Sequence, residues 1–157
     1  MTIRIKRAYE PPAPGDGYRV LIDRLWPRGL RGEELRLDVW AKVLSPSDRL
    51  RRWFGHDPRR WRAFLSRYRE ELRAPATREM LGELARRARR GTLTLVYAAR
   101  DEAHNNAVVV RAELARRLRS RARVTGRRRR GPATGRRRAR RGAPAASRRT
   151  PCRRARG

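Results

Sequence analysis

The sequence predicts a small α/β domain with a largely parallel short sheet flanked by helices, followed by a disordered basic tail. Short apolar stretches of strand character alternate with longer amphipathic stretches, as in chains built from βαβ units. All four Trp, all four Tyr and both Phe lie before residue 98. Residues 121–157 hold 16 of the 44 Lys and Arg residues and none of the 15 Asp and Glu residues.

The tail composition sets the domain boundary. A segment without acidic residues and almost without large apolar residues cannot bury enough surface to offset its chain entropy. We therefore expect a folded domain over residues 1–119 and a disordered arginine-rich tail over residues 120–157. The tail contains only Arg, Gly, Ala, Pro, Ser, Thr, Val and Cys, which is also what a GC-rich gene yields in a shifted frame. A genuine tail and a frame-shifted extension both remain open.

The N-terminal segment predicts a half-buried strand near the edge of the sheet. In "TIRIKRAY", residues 2–9, Ile3 and Ile5 face one way and the residues between them are polar. The next segment, "EPPAPGDG", holds three prolines and two glycines and is therefore expected to form a loop.

The second predicted strand is "YRVLIDRLW", residues 18–26. Its three consecutive apolar residues, 20–22, suit a strand that is buried on both faces. Pro27 removes a backbone donor and Gly29 permits a positive φ, so the strand is expected to end there.

Two short helical stretches follow the second strand. Residues 32–44, "GEELRLDVWAKVL", are moderately helical in composition. Residues 45–55 begin with "SPSD", and Ser45 or Ser47 can accept a hydrogen bond as the N-cap of a helix.

Two longer helices are predicted next. The first, residues 57–73, has Asp57 at the N-cap position and apolar residues at helical spacing. The second, residues 77–91, begins with Thr77 as a cap and ends at Gly91.

A third strand and a final helix complete the domain. "TLTLVYAA", residues 92–99, is short, apolar and rich in β-branched residues. "RDEAHNN" leaves it, and residues 107–118 return as an amphipathic helix. Strands separated by helical crossovers predict a largely parallel sheet with helices on both faces, although the strand order stays undetermined.

Three segments in fixed order resemble the YeaO-like family, which is grouped as domain of unknown function 488. They are "DRLWPRG" (23–29), "WFGHDP" (53–58) and "LTLVYAARDEAHNNAVVV" (93–110). The resemblance covers about residues 3–118 and leaves the arginine-rich tail outside it. It implies a compact α/β domain in the cytoplasm and does not imply a particular reaction.

Two of the predicted strands end in unusual polar sequences. Ligands of open α/β sheets bind outside the carboxyl ends of the strands, so these groups meet if the strands are parallel neighbours. The predicted ligand-binding residues are Asp23, Arg24, Trp26, Arg28, Arg100, Asp101 and Asn105. The three arginines would hold an anion and Asp23 would orient them. A helix that starts near Asn105 would point its N-terminus, which favours anions, at the same place.

The two histidines, His56 and His104, are the candidates for proton transfer near neutral pH. His104 is the candidate catalytic residue, as the one group in this cluster that can carry a proton near neutral pH. His56 lies in the turn before Pro58, where a solvated histidine is expected.

Structural explanations compete with each of these roles. Asp23 can form an ion pair with Arg24 or Arg28 that locks the turn, and Trp26 can belong to the core. Helix capping accounts fully for Asp101, Asn105 and the neighbouring histidine.

Metal and cofactor chemistry find no support in the sequence. The one cysteine, Cys152, lies in the tail, and the histidines at 56 and 104 are far apart in the chain. No glycine-rich phosphate loop stands between a strand and a helix. We therefore predict no metal site and no cofactor.

The sequence also bears on location and partners. No run of about 18 apolar residues is present and the N-terminus lacks the apolar centre of a signal peptide, so a cytoplasmic protein without membrane contact is expected.

We expect the domain to bind, and in a stronger form of the hypothesis to convert, a small anionic or phosphorylated ligand. The alternative is a nucleic-acid-associated module, because a net charge of +29 favours phosphate contacts through domain and tail. Whether the protein is an enzyme, and its oligomeric state, stay open.

Overall fold

The structure, a computed structural model, describes the backbone of residues 2–129 and the side chains of residues 2–120. In this part of the chain, four parallel strands form one sheet in the order β1-β4-β2-β3. The strands are β1 (Thr2–Arg7), β2 (Tyr18–Leu21), β3 (Val39–Trp40) and β4 (Thr92–Tyr97). This confirms the predicted α/β class and the parallel sheet, and it places β1 at an edge, as its alternating pattern indicates.

Within residues 2–129, five α-helices connect and cover the strands. They are α1 (Gly32–Leu35), α2 (Asp48–Phe54), α3 (Trp61–Glu71), α4 (Pro75–Arg90) and α5 (Asn106–Arg129). The side chain of Ser47 accepts a hydrogen bond from the Leu50 N–H at 3.2 Å and so caps α2. Of the two predicted caps for this helix, the structure therefore selects Ser47.

The main departure from the predicted elements lies in residues 32–44, which the sequence favours as helix. α1 and a 3-10 turn over Lys42–Leu44 are helical there, and the strand β3 lies between them. Pairing with β2 decides the outcome, because the Asp38 N–H donates to the Arg19 carbonyl at 2.9 Å and the Ala41 N–H donates to the Leu21 carbonyl at 2.8 Å. Tertiary pairing thus overrides a weak helical preference.

The predicted start of α4 at Thr77 is also wrong. The helix begins two residues earlier at Pro75, whose fixed φ suits the first turn. Thr77 is buried inside the helix, and its hydroxyl donates to the Val43 carbonyl at 3.4 Å.

The last helix extends past the predicted domain boundary at residue 119. α5 continues to Arg129, so the first residues of the predicted tail form part of a helix. The rest of the predicted tail, residues 130–157, lies outside the described residues.

The two faces of the sheet are covered unequally. Alternate residues of β2 and β4, including Val20 and Leu95, pack against a large core to which α2 to α5 contribute. The opposite face carries a smaller cluster in which Leu21 and Val96 meet Leu35 of α1. The expected helical cover on both faces is therefore reduced on one side to a single short helix and its flanking loops.

A buried ion pair lies beside this smaller cluster. Asp16 and Arg19 are 3% and 4% exposed, and their side chains pair directly. Lys6 Nζ lies 3.1 Å from the same carboxylate, and the Ala13 N–H donates to it at 3.0 Å. Burial acts to raise the pKa of Asp16, but these hydrogen bonds and the charges of Arg19 and Lys6 outweigh it and lower the pKa.

Candidate functional site

β2 and β4 are adjacent and parallel, which is the condition on which the predicted site depends. Leu21 lies opposite Val96 in the register. The Ile22 N–H still donates to the Val96 carbonyl at 3.1 Å, and the segments after β2 and β4 then leave the sheet at the same edge. The segments that follow the two strands are therefore neighbours in space.

Asp23 joins these segments. Its Oδ2 accepts from the Ala98 N–H at 2.7 Å, and its Oδ1 accepts from Asn106 Nδ2 at 2.9 Å. Its backbone carbonyl accepts from Trp40 Nε1 at 2.7 Å. One residue thus ties the exits of β2, β3 and β4 to the first residue of α5.

The surroundings of Asp23 disfavour its charged form. Burial raises its pKa above the ordinary value of 3.8, while the hydrogen bonds from Asn106 and Ala98 and the charge of His56 act in the opposite direction. Desolvation is the larger effect, so the pKa is raised.

The loop after Asp23 is fixed by its own contacts. Trp26 Nε1 donates to the Leu30 carbonyl at 2.7 Å, and the indole ring lies edge-on to Trp40 at 5.2 Å between centroids. Gly29 adopts a positive φ of 79°, as expected from the sequence. These contacts hold Trp26 at the surface beside the strand exit.

A cavity of about 270 Å³ opens between this loop, the N-terminus of α5 and α2. Most of its lining is apolar, and the side chains that supply this part are Leu25, Trp26, Pro27, Pro46, Phe54 and Phe64. Its basic lining residues are Arg24, Arg28, Arg51 and His56. We call this space the rim cavity.

The positive charges at the rim cavity are only partly compensated. Arg24 Nε and Arg51 Nη2 lie 3.7 Å and 3.4 Å from the same Asp48 carboxylate, and all three side chains are at least two-fifths exposed. Arg28 has no ion-pair partner among the described residues. Such exposed pairs hold their partners weakly, so the guanidinium groups can turn toward a ligand.

His56 enters the cavity from an unusual backbone conformation. Its φ is 57°, and it follows Gly55, whose φ is 53°. Its ring centroid lies 5.8 Å from that of Phe54. A non-glycine residue in the left-handed region carries strain that a folded protein keeps where the surroundings fix it.

The structure brings together five of the predicted site residues and leaves out three. Lining the rim cavity are Asp23, Arg24, Trp26, Arg28 and Asn105. Arg100, Asp101 and His104 do not line it, so the expectation that all these groups meet in one place needs correction. The loop after β4 turns away at Ala99, the last residue of that loop to line the cavity before Asn105.

Asp101 and His104 instead stabilise the turn before α5. Asp101 Oδ1 accepts from the backbone N–H groups of Ala103 and His104 at 2.8 and 2.9 Å, and its Oδ2 lies 2.8 Å from His104 Nδ1. These hydrogen bonds lower the pKa of Asp101. The His104 ring packs edge-on against Trp61 at 5.2 Å.

Asn105 combines a capping role with its place at the cavity. It is 2% exposed, and its Oδ1 accepts from the Val108 N–H at 3.2 Å. Its Nδ2 donates to the carbonyls of Asp101 and Glu102. The capping explanation is therefore correct for its side chain.

The predicted role of Asp23 as an orienter of arginines has no contact behind it in the described part of the chain. Its two carboxylate oxygens accept hydrogen bonds from Ala98 and Asn106, and within the described residues it pairs with neither Arg24 nor Arg28. Asp23 positions the two strand exits and the start of α5.

Sequence reasoning missed several lining residues. It ranked His56 below His104, and it did not propose Ser45, Arg51 or Asn106. For His56 a signal was present, because it lies in "WFGHDP", one of the segments that carry the family resemblance. The others depend on where α2 and α5 pack.

Within the described residues, no three His, Cys, Asp or Glu side chains cluster as metal ligands would. Nor does any helix in that part of the chain have the length and apolar character needed to cross a membrane.

Replacing Asp23 by Asn gives a pH-dependent prediction. Between the ordinary pKa and the raised one, the folded protein binds more protons at Asp23 than the unfolded chain does, so this group stabilises the fold increasingly as the pH falls. Asn has nearly the same shape and does not titrate. We expect the free energy of unfolding of the parent, minus that of Asp23→Asn, to increase from about pH 7 to about pH 4. Urea denaturation of both proteins across this range measures it, and a constant or decreasing difference would contradict the assignment.

Comparisons with known proteins agree on one family. A family model described as the inactive DUF488-N3 subclade matches residues 2–133. The uncharacterised protein Rv3073c of Mycobacterium tuberculosis is 43% identical over 108 residues, which cover 69% of this chain and 89% of that protein. The uncharacterised protein YeaO of Escherichia coli is 41% identical over 111 residues, which cover 70% and 94%. No solved structure matches the chain significantly. The family match extends past residue 118, where the sequence resemblance was expected to end.

Proposed function

Because this chain belongs to the YeaO-like family of domain of unknown function 488, in a subclade described as inactive, we propose that it binds a small anionic or phosphorylated ligand in the rim cavity. The description of the subclade favours binding over conversion. Conversion of the ligand stays the stronger form of the hypothesis.

The observation that carries the proposal is the composition of the rim cavity. Three guanidinium groups and one imidazole face a space that lies at the carboxyl ends of two parallel strands. Asp48 is the exposed carboxylate beside them, and it is shared between Arg24 and Arg51. The second carboxylate, Asp23, has a raised pKa and accepts two hydrogen bonds from the protein. The basic groups at the rim cavity therefore outnumber the charged carboxylates, and this excess of positive charge favours binding of an anion.

The cavity also restricts the rest of the ligand. At about 270 Å³ it is smaller than most pockets for drug-sized molecules, and its floor is aromatic and aliphatic. An anion that carries a compact apolar or aromatic group would fill it better than a bare inorganic ion. Charge-assisted contacts from Arg24 and Arg28 would hold the anionic end.

If the bound ligand is also converted, His56 replaces His104 as the candidate proton carrier. His56 lines the cavity, whereas His104 packs on Trp61 outside it. We therefore assign to His56 the catalytic role that the sequence suggests for His104.

Calorimetric titration with phenyl phosphate, ribose 5-phosphate and inorganic phosphate tests the proposal. We expect phenyl phosphate to bind best, and Arg28→Ala to weaken it by about 10- to 100-fold, because a hydrogen bond to a charged group contributes about 1.5–3 kcal/mol.

Arg100→Ala is the matched control. Arg100 is also exposed and also has no ion-pair partner among the described residues, but it does not line the cavity. Its replacement should change the affinity by less than about twofold. Equal losses in the two variants, or binding of none of the three probes, would contradict the proposal.

The alternative of a nucleic-acid-associated module stays a prediction, as does the cytoplasmic location. Deleting residues 121–157 separates the alternatives: the deletion should leave phenyl phosphate binding intact if the rim cavity is the site. It should greatly weaken binding of polyanions if the tail supplies the phosphate contacts.

A further inference from the structure

A second concave surface is separate from the rim cavity and shares no lining residue with it. It is formed where the end of α3, the start of α4 and the middle of α5 meet, and it encloses about 810 Å³. Six arginines line it, and we call it the arginine groove: Arg69, Arg73, Arg78, Arg116, Arg117 and Arg119. We propose that the arginine groove binds the phosphate backbone of a nucleic acid.

The arginine groove carries a large excess of positive charge. The one acidic residue among its lining residues is Glu113. Arg73 has an exposed partner in Glu70 at 2.7 Å, while Arg69, Arg78 and Arg119 have no side-chain partner among the described residues. A polar face with alternating charges, as on many exposed helices, does not have this composition.

Two of the arginines are held in position by Glu113. Arg116 donates to it through Nε and Nη2 at 3.1 and 2.7 Å, and Arg117 donates through Nε at 3.1 Å. Arg117 Nη1 also donates to the Arg78 carbonyl at 3.3 Å, which ties α5 to α4. Glu113 is mostly buried, and the hydrogen bond from Arg116 lowers its pKa although burial acts against this. Arg117, which is only one-quarter exposed and bonds both Glu113 and the Arg78 carbonyl, is therefore ordered before a ligand arrives, and this reduces the entropy lost on binding.

The kind of partner follows from what the arginine groove lacks. None of its lining residues is aromatic, so it offers no platform on which bases could stack. Planar guanidinium groups suit phosphate oxygens, and contacts to phosphates alone carry no sequence information. The groove therefore fits the backbone of DNA or RNA without regard to sequence.

The continuation of the chain agrees with an extended polyanion. α5, which supplies three of the arginines, continues to Arg129, and the sequence after Arg119 holds 16 more arginines without an acidic residue. A polymer with regularly spaced phosphates suits this succession of arginines in the sequence better than a single small anion does.

Fluorescence anisotropy with a labelled duplex oligonucleotide, using the full chain at several salt concentrations, tests the proposal. The groove variant changes Arg69, Arg78 and Arg119 to Gln. We expect its affinity to fall at least about fivefold, and the slope of log affinity against log salt to become shallower by about 2 to 3, because each lost phosphate contact removes about 0.9.

The matched control changes Arg62, Arg86 and Arg90 to Gln, which removes the same charge from exposed positions outside the groove. It should keep its affinity within about twofold and its salt slope nearly unchanged. Equal losses in the two variants would overturn the proposal, because net charge alone would then explain binding. The proposal would also be overturned, in favour of a membrane surface, if the groove variant lost binding to phosphatidylserine vesicles but kept its binding to the oligonucleotide. Circular dichroism of both variants checks that they are folded.

Discussion

Replacing Asp16 by Ala is expected to destabilise the protein by about 3–5 kcal/mol, because it leaves a buried guanidinium group without its partner. Arg19 is 4% exposed, and its Nε donates to the Leu35 carbonyl at 3.0 Å, so the side chain is held beside the smaller cluster. One of its nitrogens, Nη2, is buried and has no hydrogen-bond partner among the described residues even in the parent. Without Asp16, the guanidinium would lose its carboxylate as well. Urea denaturation with tryptophan fluorescence measures the free energy of unfolding.

The double variant Asp16→Ala, Arg19→Met serves as the control. Replacing a buried ion pair by apolar groups of similar volume is often close to neutral, so the double variant should recover much of the loss. A single variant that loses less than about 1 kcal/mol, or a double variant less stable than the single one, would contradict this account.

Replacing Gly17 by Ala should have a comparable effect, of about 3 kcal/mol, through the backbone. Gly17 has a φ of 62° and a ψ of −134°, a combination that residues with a Cβ avoid. A Cβ at this position would also meet the carbonyl oxygen of Thr92 and lie 2.9 Å from the Thr92 carbonyl carbon. Thr92 begins the central strand β4, so the obstacle is backbone that cannot move without disturbing the sheet.

Gly91→Ala is the matched control for Gly17→Ala. Gly91 precedes Thr92 and has an extended φ of 178°, and a Cβ there would meet nothing within 4 Å. Its replacement should change the free energy of unfolding by less than about 1 kcal/mol. Thermal and urea denaturation compare the two variants, and similar losses in both would show that the close approach to β4 is not the cause.

The sequence was sufficient to predict β2 and β4 as buried, parallel strands, but not to place them next to each other. Consecutive apolar residues in both strands and the helical stretches between them predict buried, parallel strands, and these strands are neighbours in the structure. The short strand β3 was not predictable in the same way. Its two paired residues, Val39 and Trp40, are too few to show a period, and their conformation follows from pairing with β2.

The composition of the site was predictable mainly on the side formed by β2, and Asn105 is the one predicted residue after β4 that lines the cavity. Asp23, Arg24, Trp26 and Arg28 follow directly from where that strand ends. The choice between the two histidines was not predictable. His56 reaches the rim cavity because of the way α2 packs and because Gly55 and His56, which follow α2, both adopt the left-handed conformation. For Asp101 and the other histidine, the sequence did offer helix capping as the competing explanation, and the hydrogen bonds of Asp101 in the turn before α5 agree with it.

The proposed function depends most on the rim cavity as the place where an anion binds. Titration of the ¹⁵N-labelled full chain with phenyl phosphate, followed by amide chemical shifts, tests this directly. We expect the largest shifts at Arg28, His56 and Asn105, with smaller changes in the rest of the domain. Shifts confined to the residues of the arginine groove, or spread evenly over exposed arginines, would show that the rim cavity is not the binding site.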